Sequence, residues 1–376
     1  MIWRTAARLH GVERTLIRRI FDAAPPGSIN LGLGQPDLPT PPGIALAGIE
    51  AIASGRTAYT STGGDPVVRD AIARRYPHVA RGGAGALVTI GSQEAVFVSV
   101  LALAGPGDEV LVPDPGYPAY PVLARLAGAE AVSYPLRPER AFRLDAEDVA
   151  RRLTDRTRLV ILCSPSNPTG AIDEDDELSR LARILGERGV PYLSDEIYAH
   201  FAYERPATSI SRHAPGEGLV VSGLSKDVSM TGWRLGWAVG PEEIVARLVA
   251  CHQYVVTCAS SISQAAALAA LSPEGDRERA RILETFRRRR TVMLEALRAI
   301  PGLPVTPPDG AFYFFVDVRA RGGSMELAER LLARRVITIP GEAFGPGGAG
   351  FLRLSYAATE EDIRAGVEAL GRELAA

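Results

Sequence analysis

The sequence predicts an α/β fold with a mostly parallel sheet, joined to a second, smaller α+β unit. Between residues 86 and 239, short apolar runs alternate with segments of helical periodicity. After about residue 271 the pattern changes to long helical segments with two further strands. The alternation is typical of a parallel sheet covered by helices, and the later change of pattern indicates a second unit.

Seven apolar runs account for the strands of the larger sheet. Each has the length of a strand, and Gly or Pro stands in most of the connections. The runs lie at 86–90, 109–112, 131–134, 158–163, 191–195, 219–222 and 235–239. An apolar stretch at 95–104 suits a buried helix directly after the first run. We therefore expect a seven-stranded, mostly parallel sheet flanked by helices.

The smaller unit is predicted from the last hundred residues. Strands are expected at 312–318 and 351–356, and helices at 324–334 and 360–374. Gly and Pro cluster at 24–43, which indicates a link between an N-terminal arm and the larger domain. The predicted division is 1–44 for the arm and part of the small domain, 45–275 for the large domain, and 276–376 for the C-terminal small domain.

The composition excludes several classes of protein. A net charge of -2 and a pI near 6.3 give no general attraction to nucleic acid or to an anionic membrane. No apolar run reaches membrane-spanning length, and residues 1–21 lack the apolar core of a signal peptide. The three cysteines have no metal-binding spacing. We expect reduced thiols, no metal, no nucleic acid, no membrane and a cytoplasmic location.

Lys226 is the only lysine of the chain, so the other 41 of the 42 basic residues are arginine. Arginine replaces lysine wherever only charge or solubility is needed. It cannot replace the amine, because a guanidinium stays protonated whereas a desolvated amine attacks carbonyl groups. The lone lysine therefore indicates amine chemistry at position 226.

Chemically active residues follow the predicted strands one after another. Ligands bind at the carboxyl ends of parallel strands, so these side chains are expected to meet in one crevice. They are Ser92, Gln93, Tyr117, Asn167, Asp195, Tyr198, Ser225 and Lys226. Together they suit pyridoxal 5'-phosphate: the amine binds the cofactor, the carboxylate holds its ring nitrogen, and a helix start with Arg234 binds its phosphate.

The stretch from Ser225 to Trp237, SKDVSMTGWRLGW, resembles the lysine signature of the class I/II pyridoxal-phosphate-dependent aminotransferases of fold type I. Further family motifs occur in the same order and extend the resemblance over essentially the whole chain. They are Gly34 in LGQPD, Tyr59 in AYT, Asn167 in NPTG, Asp195 and Tyr198 in DEIY, and Arg353 in LRLS.

The resemblance implies a role for each of these residues. It assigns the Schiff base to Lys226, the ring nitrogen to Asp195, the ring oxygen to Asn167 and Tyr198, ring stacking to Tyr117, and the phosphate to Ser92, Gln93 and Arg234. Many relatives carry a phosphate-binding serine three residues before the lysine, where this chain has Gly223. Ser222 or Ser225 then takes that place.

The resemblance also implies a substrate site and a partner. Arg353 matches the arginine that binds the substrate α-carboxylate, with Asn167 and the Gly34 backbone beside it. Tyr59 matches the tyrosine that reaches the phosphate of the neighbouring subunit, which implies a homodimer with shared active sites.

The implied reaction moves the amino group of an L-amino acid to a 2-oxoacid in two half-reactions through pyridoxamine phosphate, with Lys226, Asp195 and Tyr198 as the catalytic set. A lyase on the same fold, either a carbon-sulfur β-lyase or an aminocyclopropane-carboxylate-synthase-like enzyme, is the alternative. The donor is open among neutral, aromatic and acidic amino acids. Specificity is expected from Leu16, Ile17 and residues 254–263.

Overall fold

The computed structural model describes residues 4–375. Met1–Trp3 lie outside the described residues; they begin the predicted segment 1–44 and the stretch 1–21 that lacks the apolar core of a signal peptide. Ala376, the last residue of the predicted segment 276–376, also lies outside them. The strands are β1 Ile29–Asn30, β2 Ala86–Thr89, β3 Glu109–Asp114, β4 Glu130–Pro135, β5 Thr157–Cys163, β6 Tyr192–Asp195, β7 Gly218–Gly223, β8 Gly236–Val239, β9 Tyr313–Asp317, β10 Val336–Ile337, β11 Ile339–Pro340 and β12 Phe351–Ser355. The helices are α1 Leu16–Ala23, α2 Pro42–Ala53, α3 Pro66–Ala73, α4 Ser92–Leu103, α5 Ala119–Ala127, α6 Ala146–Ala150, α7 Asp175–Arg188, α8 Glu242–Val256, α9 Ser261–Ala270, α10 Pro273–Arg298, α11 Ser324–Ala333 and α12 Glu360–Ala375.

Seven strands form the central sheet in the order β2-β8-β7-β6-β5-β3-β4. Only β8 runs antiparallel to its neighbours, and the other pairs of adjacent strands are parallel. The predicted seven-stranded, mostly parallel sheet is confirmed. Each predicted run overlaps one of these strands, with bounds that differ by at most two residues at either end.

Both faces of the sheet are buried, which explains why its strands read as continuous apolar runs. On β3, Val110 and Val112 pack in one core with α4, α5 and α8, whereas Leu111 between them packs in another. Alternate residues of a strand point to opposite faces, so a two-sided core needs apolar residues at every position.

The smaller unit has two short sheets. In one, β12 lies between β11 and β9 and is antiparallel to both; in the other, β1 pairs with β10 in parallel. Helices α10, α11 and α12 share a core with β9 and β12, which includes the fully buried Phe286, Phe312 and Tyr356. The segment boundaries at residues 44 and 275 stay predictions.

The topology brings the predicted functional residues to one edge of the sheet. Strands β3, β5, β6 and β7 end there, and β2 ends there too because β8 is antiparallel to both β2 and β7. Arg234 lies just before β8, which begins at the same edge. Among residues 4–375, no helix combines the length and the apolar character that crossing a bilayer requires.

Candidate active site

A cavity of about 670 Å³ opens at this edge, between the sheet and the smaller unit. Eleven of the twelve residues predicted from the sequence line it: Gly34, Ser92, Gln93, Tyr117, Asn167, Asp195, Tyr198, Ser225, Lys226, Arg234 and Arg353. The twelfth, Tyr59, lies elsewhere on the surface and is 86% exposed. The structure thus gathers residues that stand up to 319 positions apart, from Gly34 to Arg353, around one space.

The Lys226 amine is held by a backbone carbonyl. Its Nζ donates a hydrogen bond to Gly34 O at 2.6 Å. Burial, together with the positive charges of Arg353 and Arg234, lowers the pKa of this amine to about 8. A larger share of the amine is therefore unprotonated near neutral pH than for an exposed lysine, as nucleophilic attack requires.

Asp195 is the last residue of β6 and is 5% exposed. Its Oδ2 accepts a hydrogen bond from the Tyr120 hydroxyl at 2.8 Å, and its Oδ1 accepts one from the Ile197 amide at 3.3 Å. Burial raises the pKa of this carboxyl to about 6, against the opposing effect of both bonds. The group is thus a buried carboxylate at pH 7, suited to pair with a cationic ring nitrogen.

Arg353 lies on β12 and is almost fully buried. Its Nη1 donates to Asn167 Oδ1 at 2.7 Å, its Nη2 donates to Gly32 O, and its Nε has no partner among residues 4–375. The guanidinium carbon lies 4.4 Å from the Tyr313 ring centroid. A buried guanidinium that meets no carboxylate within residues 4–375 is suited to bind a carboxylate ligand.

Tyr198 contacts a second tyrosine, Tyr313, in the wall of the cavity. The Tyr198 and Tyr313 hydroxyls are 2.7 Å apart, and burial raises the pKa of both phenols. Gly34 lies against the same hydroxyl: a Cβ at this position would come 2.1 Å from Tyr313 Oη. Only glycine allows the chain to pass here and present its carbonyl to the lysine.

The start of α4 and Arg234 form the opposite end of the cavity. Gly91, with φ of +102°, turns the chain from β2 into the helix, and a Cβ there would come 2.6 Å from Arg234 Nη2. The first amides of a helix have no acceptor within it and carry the positive end of the dipole. Together with the guanidinium, the amides of Ser92 and Gln93 form a site for a dianion.

The two serines beside the lysine are placed differently. Ser225 lines the cavity, whereas the Ser222 hydroxyl donates to Glu196 O at 3.2 Å. The structure therefore favours Ser225 over Ser222 as a cavity donor. Tyr117, the predicted stacking residue, donates its hydroxyl proton to Gln93 Oε1 at 3.0 Å, which fixes its ring at the cavity wall.

The family follows from comparison with known proteins. The model of the family aminotransferase class I and II matches residues 26–370. The chain belongs to this family. Aspartate/prephenate aminotransferase of Thermus thermophilus is 38% identical, with 92% of this chain and 91% of the relative aligned. Probable aspartate/prephenate aminotransferase of Aquifex aeolicus is 37% identical, with 92% and 91% aligned. The solved structure of aspartate aminotransferase from Thermus thermophilus with maleate superposes with a TM-score of 0.93, at 33% identity over 99% of this chain and 100% of that one.

The chain is thus an aminotransferase that depends on pyridoxal 5'-phosphate, as the sequence predicted. No relative named above is a lyase. The cavity also fits the cofactor on its own chemistry, because it offers a partly buried amine of lowered pKa, a buried carboxylate, and an anion site formed by Arg234 with a helix start. Bound pyridoxal 5'-phosphate supplies an electron sink for the electrons released at the substrate Cα.

Three residues of this aminotransferase site were missed by the sequence reasoning. Tyr120 supports Asp195, Tyr313 contacts Tyr198 and Arg353, and Arg18 of α1 lines the cavity. Tyr120 stands three residues after Tyr117, at the start of α5, and its closeness to a predicted site residue could have indicated it. Tyr313 and Arg18 carry no comparable local signal. Of the predicted specificity residues, Ile17 lines the cavity and Leu16 does not.

Glu196, which follows Asp195, gives the protein a pH-dependent stability. Burial raises the pKa of this carboxyl to about 7, although Ser194 and Ser209 donate to Oε1. The folded state therefore holds a proton that the unfolded state has lost at pH above 4.5, so stability is full below that pH and falls as pH rises through 7. Between pH 5 and pH 8 we expect the ionisation of Glu196 to lower the free energy of unfolding of the wild type by about 3 kcal/mol, and we expect Glu196→Gln to lack this decrease.

The measurement is denaturant unfolding of the cofactor-free chain at both pH values, for wild type, Glu196→Gln and the exposed control Glu187→Gln. The charged neighbours of Glu196 are Asp195 and Arg212, and both are present in all three proteins. Equal pH dependence in wild type and Glu196→Gln would show that Glu196 is ionised with an ordinary pKa.

Proposed function

We propose that this aminotransferase takes an acidic L-amino acid, aspartate or glutamate, as donor and a 2-oxoacid as acceptor. The observation that carries the proposal is the charge of the cavity wall: of the described residues, four cationic side chains line it, and Asp195 is the one acid among them. Three of the cations have roles as amine, phosphate ligand and α-carboxylate ligand. Arg18 is left for a second carboxylate.

Arg18 is free to bind such a group. Its guanidinium lies 5.8 Å from the Phe21 ring centroid, and within residues 4–375 no carboxylate pairs with it, whereas the nearby Arg14 pairs with Asp22. Helix α1, which carries Arg18, has no buried residue of its own. The relative from Thermus thermophilus is named an aspartate/prephenate aminotransferase, and the solved neighbour contains maleate.

In the proposed reaction, Arg353 binds the α-carboxylate of the substrate through its guanidinium, and Asn167 orients it by the 2.7 Å bond. Lys226, once its amine is free, would take the proton from the substrate Cα at Nζ and would pass it to the cofactor within the same half-reaction, which leaves the amine unprotonated again. Asp195 keeps its negative charge against the ring nitrogen. Asn167 and Tyr198 bind the ring oxygen, and Arg234, Ser92, Gln93 and Ser225 bind the phosphate.

A panel of donors tests the substrate class. We expect aspartate and glutamate to convert the bound cofactor to its amine form, followed by absorbance, with kcat/KM at least tenfold above alanine, leucine and phenylalanine. Arg18→Met should lower kcat/KM for aspartate about two- to fivefold and leave alanine unchanged, since one exposed ion pair to the distal carboxylate is lost. Arg19→Met, on the same helix, is the control.

Two outcomes would contradict the proposal. A preference for aromatic or neutral donors would show that the cavity charge does not select acidic substrates. Release of pyruvate and ammonia from cysteine without an oxoacid acceptor would reveal lyase activity.

We also propose a homodimer in which Tyr59 of each subunit reaches the other's phosphate site. Tyr59 is 86% exposed, and Leu46, Ile49 and Ile52 of α2 are each more than half exposed in the single chain. These α2 residues lie along one side of the helix, and apolar side chains in such a row favour an interface. Sedimentation equilibrium should give twice the chain mass; a monomer with full activity would contradict this.

The proposed location is the cytoplasm. Cys163, Cys251 and Cys258 are all free thiols in the structure, and free thiols persist where the environment is reducing. Cell fractionation with an antibody to the chain tests this, and recovery from an extracellular or periplasmic fraction would contradict it.

A further inference from the structure

Helix α10 is the longest helix of the described chain, with 26 residues, and it joins the two units. Its second half lies in the core of the smaller unit, where Phe286, Met293 and Leu297 are fully buried. It also carries two almost fully buried arginines, Arg279 and Arg289, at 3% and 6% exposure. Ten residues apart, they lie about 15 Å from each other along the helix axis. Neither lines the cavity.

Arg279 binds the turn that carries the catalytic amine. Its Nε donates to Oδ2 of Asp227, the residue directly after Lys226, and its Nη1 donates to Ala270 O. Asp227 is itself 9% exposed, and its other oxygen has no partner among residues 4–375. This carboxylate therefore depends on Arg279 for compensation of its charge.

Arg289 binds the segment that the amine contacts. Its Nη1 and Nη2 donate to the two oxygens of Asp37 at 2.6 and 2.8 Å, a bidentate pair. Asp37 lies three residues after Gly34, whose carbonyl accepts the Lys226 amine at 2.6 Å. Planar bidentate pairs fix geometry as well as charge.

We propose that Arg279 and Arg289 are positioning residues, which hold the two partners of the Lys226–Gly34 contact from one rigid helix. Arg279 fixes one side of that contact through the buried Asp227, and Arg289 fixes the other through Asp37, whose side chain is 31% exposed. The two sides are 192 positions apart in sequence, and α10 is the element that both share. This role rests on the proposed function of Lys226 as the reacting amine, but its first test does not need turnover.

Loss of one arginine–aspartate pair should weaken the positioning of the Lys226 amine but leave the binding of substrate intact. When Arg289 no longer holds Asp37, the Gly34 carbonyl shifts and water reaches the amine. Because desolvation is the main cause of the lowered pKa of Lys226, the pKa then rises toward its ordinary value. A reacting group displaced by about 1 Å costs about 100-fold in rate, whereas substrate contacts at Arg353 persist.

The test compares Arg289→Met and Asp37→Asn, which break the same pair from either end, with Arg288→Met. Arg288 lies next to Arg289, is 61% exposed and pairs with Glu360. In the full-length chain freed of cofactor, the acylation rate of the single lysine is followed against pH by mass spectrometry of the peptide with residue 226. In the holoenzyme, kcat and KM are measured separately.

For both Asp37 and Arg289 variants, we expect the amine pKa to rise by about half a unit or more, kcat to fall about 10- to 100-fold, and KM to change less than about threefold. Arg288→Met should match wild type. If the variants lose thermal stability but keep the amine titration and kcat of Arg288→Met, the pairs are only structural and the inference is wrong. If wild type shows no amino transfer, the proposed function fails, while the amine titration still decides this inference.

Discussion

Lys226→Arg is expected to abolish amino transfer while the chain stays folded. The guanidinium keeps the positive charge but cannot lose its proton, so it neither attacks a carbonyl nor takes a proton from the substrate Cα. General acid-base catalysis alone contributes about 10²- to 10⁴-fold, so we expect kcat/KM to fall by more than about 10⁴-fold. Steady-state turnover and circular dichroism on the same preparation measure both effects.

Borohydride reduction gives the same prediction a second measurement. Reduction of the wild-type holoenzyme should leave one pyridoxyl adduct on a lysine, in the peptide that contains residue 226, because no other lysine exists. The control Arg183→Lys adds a lysine at a site that is 66% exposed and should gain no adduct there. Turnover by Lys226→Arg above about 1% of wild type would contradict the role of the amine.

Most of the site was predictable because it lies at strand ends. Asp195 ends a short apolar run, Asn167 and Lys226 each follow one within a few residues, and parallel strands in one sheet bring such positions to one edge. The lone lysine marked the chemistry, since the other 41 of the 42 lysine and arginine positions are arginine. Strand ends and residue identity are local signals, and both can be read from one sequence.

What escaped prediction depends on contacts between distant segments. The Gly34 carbonyl meets the Lys226 amine across 192 positions, and Tyr313 meets Tyr198 across 115. Neither contact leaves a period or a spacing in the sequence. The antiparallel direction of β8 was missed for a related reason: its run has the same apolar pattern as its parallel neighbours, because both faces of the sheet are buried.

Asp195→Asn is expected to lower kcat/KM by about 10³-fold or more. The asparagine keeps the size of the side chain but removes the charge that would hold the ring nitrogen protonated, and loss of one preorganised electrostatic group in a dry site costs about 10²- to 10³-fold or more. The buried carboxyl has a pKa of about 6, so the wild type carries that charge at pH 7. Absorbance of the bound cofactor checks that the variant still binds it.

Tyr120→Phe keeps the carboxylate of Asp195 but removes the hydrogen bond that supports it. The Tyr120 hydroxyl donates to Asp195 Oδ2 at 2.8 Å and lowers the pKa of the carboxyl, so its loss should raise that pKa further above 6. Asp195 must be ionised to act, and the acid limb of the kcat/KM profile should therefore move to higher pH, while activity at pH 9 changes little.

An Asp195→Asn enzyme with the same pH profile and rate as wild type would show that no charge is needed at this position. A Tyr120→Phe profile that falls uniformly at every pH would instead indicate that Tyr120 acts by packing, because only a change in the pKa of Asp195 shifts the limb.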